Sequence, residues 1–158
     1  MDDSKEPLNV FCLKLNTGET LFSEIIPSED DSDIILRDPF AISYVQNGEK
    51  EVMSGVPWLP YSNSENAKIK SSMVFYCDRL NANYVKFYAH ILIQFKVADI
   101  KTEVMEGMNI SNDYVTMMNG VEKIKEVSNA ICERFGILNV LDFTAFEEAA
   151  AKFKPVMH

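Results

Sequence analysis

Histidine is almost missing from this chain. Among 158 residues only His90 and His158 occur, so a histidine-based zinc site or a Ser-His-Asp triad would have to be assembled around a single imidazole. Cysteine is scarce as well. Cys12, Cys77 and Cys132 are odd in number and widely spaced, with no Cys-x-x-Cys pair and no histidine at ligand spacing. That usage suits a reducing cytoplasm and supplies no metal framework. Positive charge is short: 15 Lys and Arg face 24 Asp and Glu, for a formal net charge of -9. Binding a nucleic acid means neutralising phosphates with cations, so this field disfavours RNA as a partner, and only a local basic patch would escape the argument. Long apolar runs are absent too. The best candidate, Ile91 to Phe95, is flanked by His90 and Lys96 and falls far below the roughly 18 residues that span a bilayer. The start of the chain, Met1 to Pro7, is polar and acidic, the opposite of a signal peptide. The expectation is a cytoplasmic protein with no membrane partner, in a host cytoplasm if the chain is phage-encoded.

What is present is an ordinary globular composition, 47% apolar and 25% charged, enough for one domain or one domain with an appended element. The first half is rich in β-forming residues. Leu8 to Leu15 reads as a strand, Asn16 to Glu19 as a tight turn with Gly18 free to take positive φ, and Thr20 to Ile26 as the returning strand of a hairpin. Pro27 ends that strand, and Ser28 to Asp33 forms a polar loop. A third strand starts at Ile34, is punctuated by Asp38 and Pro39, and continues to Val45. The Asn47-Gly48 pair signals a turn into a fourth strand from Glu51, which runs on toward Trp58 and Tyr61. Ser62 to Lys68 reads as a polar loop, and Met73 to Cys77 as a fifth strand. Strands this short would leave long edges unpaired in an open sheet, so a small barrel is the economical solution.

The second half changes character. Asn83 to Val97 fits strand alternation through Val85, Phe87, Ala89, Ile91, Ile93 and Phe95. It also fits one helical face through Tyr84, Phe87, Tyr88, Ile91 and Phe95. Its length, its freedom from Gly and Pro, and Asn81 or Asn83 as an N-cap favour the helix. Gly107 is expected to break it. A second helix is predicted from about Asn112 to Phe135, with Tyr114, Val115, Met118, Val121, Ile124, Val127, Ile131 and Phe135 as its apolar stripe and Gly136 as its C-cap. A short last helix is predicted after Asp142, where Thr144 and Glu147 have capping-box spacing.

No residues carry a catalytic pattern, because no carboxylate stands beside a His, Cys or Gly-rich turn in a spacing that specifies chemistry. The catalytic, metal and cofactor expectations are therefore none. Glu29, Asp30, Asp31 and Asp33 crowd one loop without the ligand spacing of a cation site, so they read as solvated acidic surface. Trp58 and Tyr61 are a candidate partner surface for an extended peptide, with packing of Trp58 under the helix as the alternative. Met105, Met108, Met117 and Met118 serve either as an adaptable surface or as core filling.

Three segments carry a resemblance. Leu15-Asn16-Thr17-Gly18-Glu19 with Leu21, Ser23 and Ile25, the run Ile34-Ile35-Leu36-Arg37-Asp38, and Ile69-Lys70-Ser71 ahead of the last strand are similar to the motifs of the Sm-like family of small β-barrels. Asp38-Pro39, Trp58-Leu59-Pro60-Tyr61 and an aromatic helix after the last strand look like features of its phage-type members. The likeness covers residues 8–92. It implies a five-stranded, strongly bent antiparallel Sm-like barrel over residues 8–78; with the helix read from the sequence over 81–106, on or beside it, and the helical extension read over 110–158, the expected fold class is α+β. It also implies a homo-oligomeric ring of about five to seven copies, joined through Met73, Val74, Phe75, Tyr76 and Cys77. By resemblance, RNA-binding positions fall on Asp33, Lys70 and Ser71. There the usual Asn and Arg are replaced by an acceptor-only carboxylate and by a Lys without the planar guanidinium that stacks on bases. The resulting expectation is a non-enzymatic ring protein of phage origin, acting as an assembly or adaptor module and reaching a protein partner through its C-terminal helices. The alternative is an RNA-binding protein of RNA metabolism, using Lys14, Lys68, Lys70 and Lys101 for phosphate contacts.

Overall fold

Alternation in the first hairpin sets the architecture. In the computed structural model, which describes residues 9–59, 65–111 and 114–137, β1 (Val10–Leu15) and β2 (Thr20–Ile26) pair antiparallel with Leu13 opposite Leu21. Leu13, Leu15 and Leu21 point to one side and join Leu36, Ala67 and Ile69 in a buried cluster. Gly18 closes the turn at φ +98, a conformation that an L side chain rarely adopts. β3 (Asp33–Asn47) adds to β2, and β4 (Lys50–Pro57) adds to β3. β5 (Asn66–Lys70) pairs with the first half of β3, on the same side as β4. After a single 3-10 turn, Ser71–Met73, β6 (Val74–Arg79) returns beside β1. The sheet has six strands in the order β4-β3-β2-β1-β6, with β5 attached to β3.

Two expectations are corrected. The closed five-stranded barrel does not form, because β4 and β6 end the path with no ladder between them and the sheet stays open. The predicted loop at Ser62 to Lys68 contains most of a strand instead: Ala67 and Ile69 are buried while Asn66, Lys68 and Lys70 face out. That alternation was hidden by three polar residues in five. β4 ends at Pro57 and β5 starts at Asn66, so along β3 the two are halves of one interrupted edge.

The bend in β3 has a local cause. Phe22 pairs with Phe40 and Glu24 with Arg37, so Ser23 alone faces both Asp38 and Pro39. This is a β-bulge, with Asp38 at φ +50 in the left-handed region and Pro39 placed where a missing amide is tolerated. The groups that the bulge frees find partners. The buried Ser23 hydroxyl sits 3.0 Å from the Arg37 carbonyl and 2.8 Å from that of Glu24, Asp38 N–H donates to Glu65 O, and Trp58 N–H donates to Pro39 O.

α1 (Ala82–Ser111) opens with Asn81 as its N-cap, whose Oδ1 accepts from the amides of Asn83 and Tyr84. Its first turns lie on the other face of the sheet, where Phe22 meets the rings of Tyr84 and Phe87 and Phe40 meets Tyr88 edge-on. The chain divides into two compact units, Met1–Tyr88 and Ala89–His158, so the boundary falls within α1.

In the second unit, α1 runs on through Gly107 to Ser111, contrary to the predicted break. A glycine costs a helix interior about 1 kcal/mol, and here it makes room: a Cβ at Gly107 would stand 3.2 Å from Thr116 Cγ2 on α2 (Tyr114–Phe135). Gly120 makes a closer crossing, where a Cβ would come within 2.3 Å of Val104 Cγ2. Val121, Ile124, Ser128, Ile131, Cys132 and Phe135 form the buried stripe of α2, while Val115, assigned to that stripe from the sequence, is exposed. Gly136, at φ +65, ends the helix as expected. Its amide donates to Glu133 O, and the amide of Ile137 donates to Cys132 O, the paired bonds of a Schellman motif. The predicted helix after Asp142 lies outside the described residues, as does Tyr61. Among the described residues no helix is long and apolar enough to cross a membrane.

Candidate functional site

Two features gather the residues singled out from the sequence: a buried carboxylate held by two lysines, and the open edges of the sheet. Strand pairing builds the first. Asp33 stands opposite Lys70, and Lys68 lies two residues along the same side of β5. The Asp33 side chain is only 5% exposed, with Lys70 Nζ 2.8 Å from Oδ1 and Lys68 Nζ 3.2 Å from Oδ2. The hydrogen bond from Lys70 is the main reason that the Asp33 carboxyl is held below its ordinary value; burial opposes it, and Lys68 adds to the lowering. Asp33 therefore does not belong to a solvated acidic loop. Among the four acids expected there, Glu29, Asp30 and Asp31 are surface groups, and Asp33 is a buried anchor for β5. The Asp30 carboxyl is also lowered, through hydrogen bonds from the Ser32 amide and hydroxyl.

Ser71 adjoins this cluster. Its amide and its hydroxyl both reach the Ser32 carbonyl, at 2.8 and 3.1 Å. Asp33, Lys70 and Ser71 lie near one another, but Lys70 donates to Asp33 and Ser71 to the Ser32 carbonyl. A carboxylate that accepts from two ammonium groups leaves each with less charge to offer a phosphate. Lys14 donates to Thr20 Oγ1 at 3.2 Å.

The edges are a different kind of feature. β6 pairs with β1 on one side, and among the described residues no strand covers its other side; the same holds for the outer sides of β4 and β5. Of the five residues assigned to an interface, Met73 and Val74 are half-buried against the leucine cluster. Phe75 is 78% and Tyr76 54% exposed, and Cys77 is also exposed. Tyr76 donates to Asp78 at 3.1 Å, which raises its hydroxyl above the ordinary tyrosine value. Arg79 lies over the Phe11 ring. At the opposite edge, Val52 and Val56 of β4 are exposed, as are Tyr44 and Val45 of β3.

Trp58 goes to the packing alternative: it is half-buried against the leucine cluster, and its indole N–H donates to Glu19 Oε2 in the first hairpin turn. Met105 is exposed, Met117 and Met118 are half-buried, and the side chain of Met108 lies outside the described residues. Burial pushes the Cys12 and Cys132 thiols up, which favours the protonated, weakly nucleophilic form. Among the described residues no group of His, Cys, Asp and Glu is placed to hold a metal ion. The residue that sequence reasoning missed is Ser23. A serine inside an apolar strand, opposite an Asp-Pro pair, was the available sign of the bulge. No protein-family model matches this chain, and no curated protein matches it either.

Proposed function

We propose that this chain is an Sm-like subunit that assembles with copies of itself into a ring and works as a non-enzymatic assembly or adaptor module of phage origin. The observation that carries the reading is that, among the described residues, no strand covers either end of the sheet, β6 on one side and the β4/β5 line on the other. Each uncovered edge leaves a row of amides and carbonyls that a second strand would satisfy. Two different edges on one molecule make a head-to-tail contact, and repeating that contact through a closing rotation gives a ring. Five of the most exposed apolar side chains, Phe75 and Tyr76 on β6 with Val52, Val56 and Tyr44 on the β3–β4 side, flank these edges.

The α1–α2 pair is then the part offered to a protein partner. RNA binding is the competing reading, and the commitment of Lys68 and Lys70 to Asp33 weighs against it. Light scattering at micromolar concentration tests the assembly: a multiple of 18.0 kDa is expected, and a monomer overturns it. Filter binding to oligo(U) and oligo(A) at low salt tests the alternative, since retention there would replace the adaptor reading with an RNA-binding one.

A further inference from the structure

The outer half of the β3–β4 hairpin stands apart from the rest of the sheet. The last β2–β3 pair is Thr20 with Ile42, whereas β3 and β4 stay paired out to Asn47 with Lys50. Among the described residues the sheet from Ser43 to the tip is therefore a ribbon of two strands, and every residue from Ser43 to Val52 is exposed. A ribbon with no third strand and no packed face is marginally stable and opens locally. Its tip is closed by Gly48 at φ +68 and Glu49, the arrangement of a type II′ turn. Asn47 is consequently the last paired residue rather than a turn residue, and a glycine amide follows it directly. A Cβ at Gly48 would meet nothing within 4 Å, so no other part of the chain crowds the tip at Gly48.

We propose that Asn47 is a site of spontaneous deamidation through a cyclic imide, and that this chemistry is confined to the ribbon tip. When the ribbon opens, the deprotonated Gly48 nitrogen attacks Asn47 Cγ. A new N–Cγ bond forms, the Cγ–Nδ2 bond breaks, and ammonia leaves. Water then opens the imide at either carbonyl, giving aspartate or isoaspartate at position 47. One water is consumed and one ammonia is released, and no other reactant is needed.

The chain contains its own control. Asn119 also precedes a glycine, but Gly120 lies inside α2 with its amide in the helical ladder and its Cα packed on Val104. The two dipeptides share sequence chemistry and differ in backbone freedom. The product places a new negative charge beside Glu49 and Glu51 at the tip. In its isoaspartyl form it lengthens the backbone at the residue that pairs with Lys50 and breaks the register there.

The test is tandem mass mapping of the intact, folded chain after incubation at mildly alkaline pH, in ordinary water and in water enriched in heavy oxygen. A mass gain of about 1 Da should build up at Asn47 at least about tenfold faster than at Asn119. The gain should be larger in the water enriched in heavy oxygen, because the solvent supplies the new oxygen. In Asn47→Gln, whose longer side chain closes the ring poorly, the gain in that peptide should vanish. Conversion at Asn47 no faster than at Asn119, or a gain that persists in Asn47→Gln, overturns the proposal.

Discussion

The Tyr88 hydroxyl donates to the main-chain carbonyl of Asp38 at 2.8 Å and lies 3.3 Å from that of Arg37. Through this contact the start of α1 fastens the one point where β3 leaves regular geometry, the left-handed Asp38 before Pro39. Ser23 reaches the Arg37 carbonyl from the neighbouring strand. The bulge is thus held by a helix on one side and a strand on the other.

Removing the hydroxyl with Tyr88→Phe keeps the buried ring on Phe40 but leaves the Asp38 carbonyl without this donor. A loss of about 1–3 kcal/mol is expected in urea unfolding, with an unchanged m-value, since a buried acceptor loses a partner while the surface exposed on unfolding stays the same.

Gly120→Ala reverses an ordinary trend. In a free helix this change gains about 1 kcal/mol, but here the new methyl would sit 2.3 Å from Val104 Cγ2. Overpacking is expected to destabilise the chain by about 1–3 kcal/mol instead. Adding Val104→Ala removes the colliding methyls and should recover part of the loss, which a double-mutant cycle measures.

Acid should weaken the first unit through Asp33 and Asp30. Both carboxyls are lowered in the fold, Asp33 chiefly by Lys70 and Asp30 chiefly by Ser32. Their stabilisation is fully present above the unfolded aspartate value of about 3.9. It is lost as pH falls through their lower folded values, because the unfolded chain binds the protons first. Urea unfolding between neutral pH and that acid range should show stability falling toward low pH. Asp33→Asn should have a shallower acid limb and lower stability at neutral pH, where Lys68 and Lys70 lose their carboxylate.

Charge placed on the free edge tests the assembly without touching the core. Phe75 is the most exposed of the large apolar residues described, at 78%, so Phe75→Lys should leave the circular dichroism spectrum and thermal midpoint nearly unchanged. By light scattering it should shift the mass from a multiple of 18.0 kDa toward the monomer. An unchanged assembly in this variant would mean that β6 is not the contact.

The amino-acid order by itself determined the β-then-α organisation, the two hairpin turns, the length of strand three across Asp38-Pro39, an asparagine cap at Asn81 or Asn83 and the Gly136 stop. Each of these rests on neighbours in the chain: alternation of apolar residues, a glycine free to take positive φ, a side-chain oxygen at a helix start. Tertiary structure decided the rest. Whether the sheet closes depends on contacts between strands far apart in sequence, and β4 and β6 share no ladder. Whether Gly107 ends a helix depends on what crosses it, and Thr116 crosses close enough to make a small residue useful there. Whether Asp33 is a surface acid or a buried anchor depends on a strand that reads as a polar loop until Ile34 and Ile69 align and bring Lys70 opposite it. Local patterns fix local conformation; pairing between distant segments is settled only by which apolar faces and polar partners can be satisfied together.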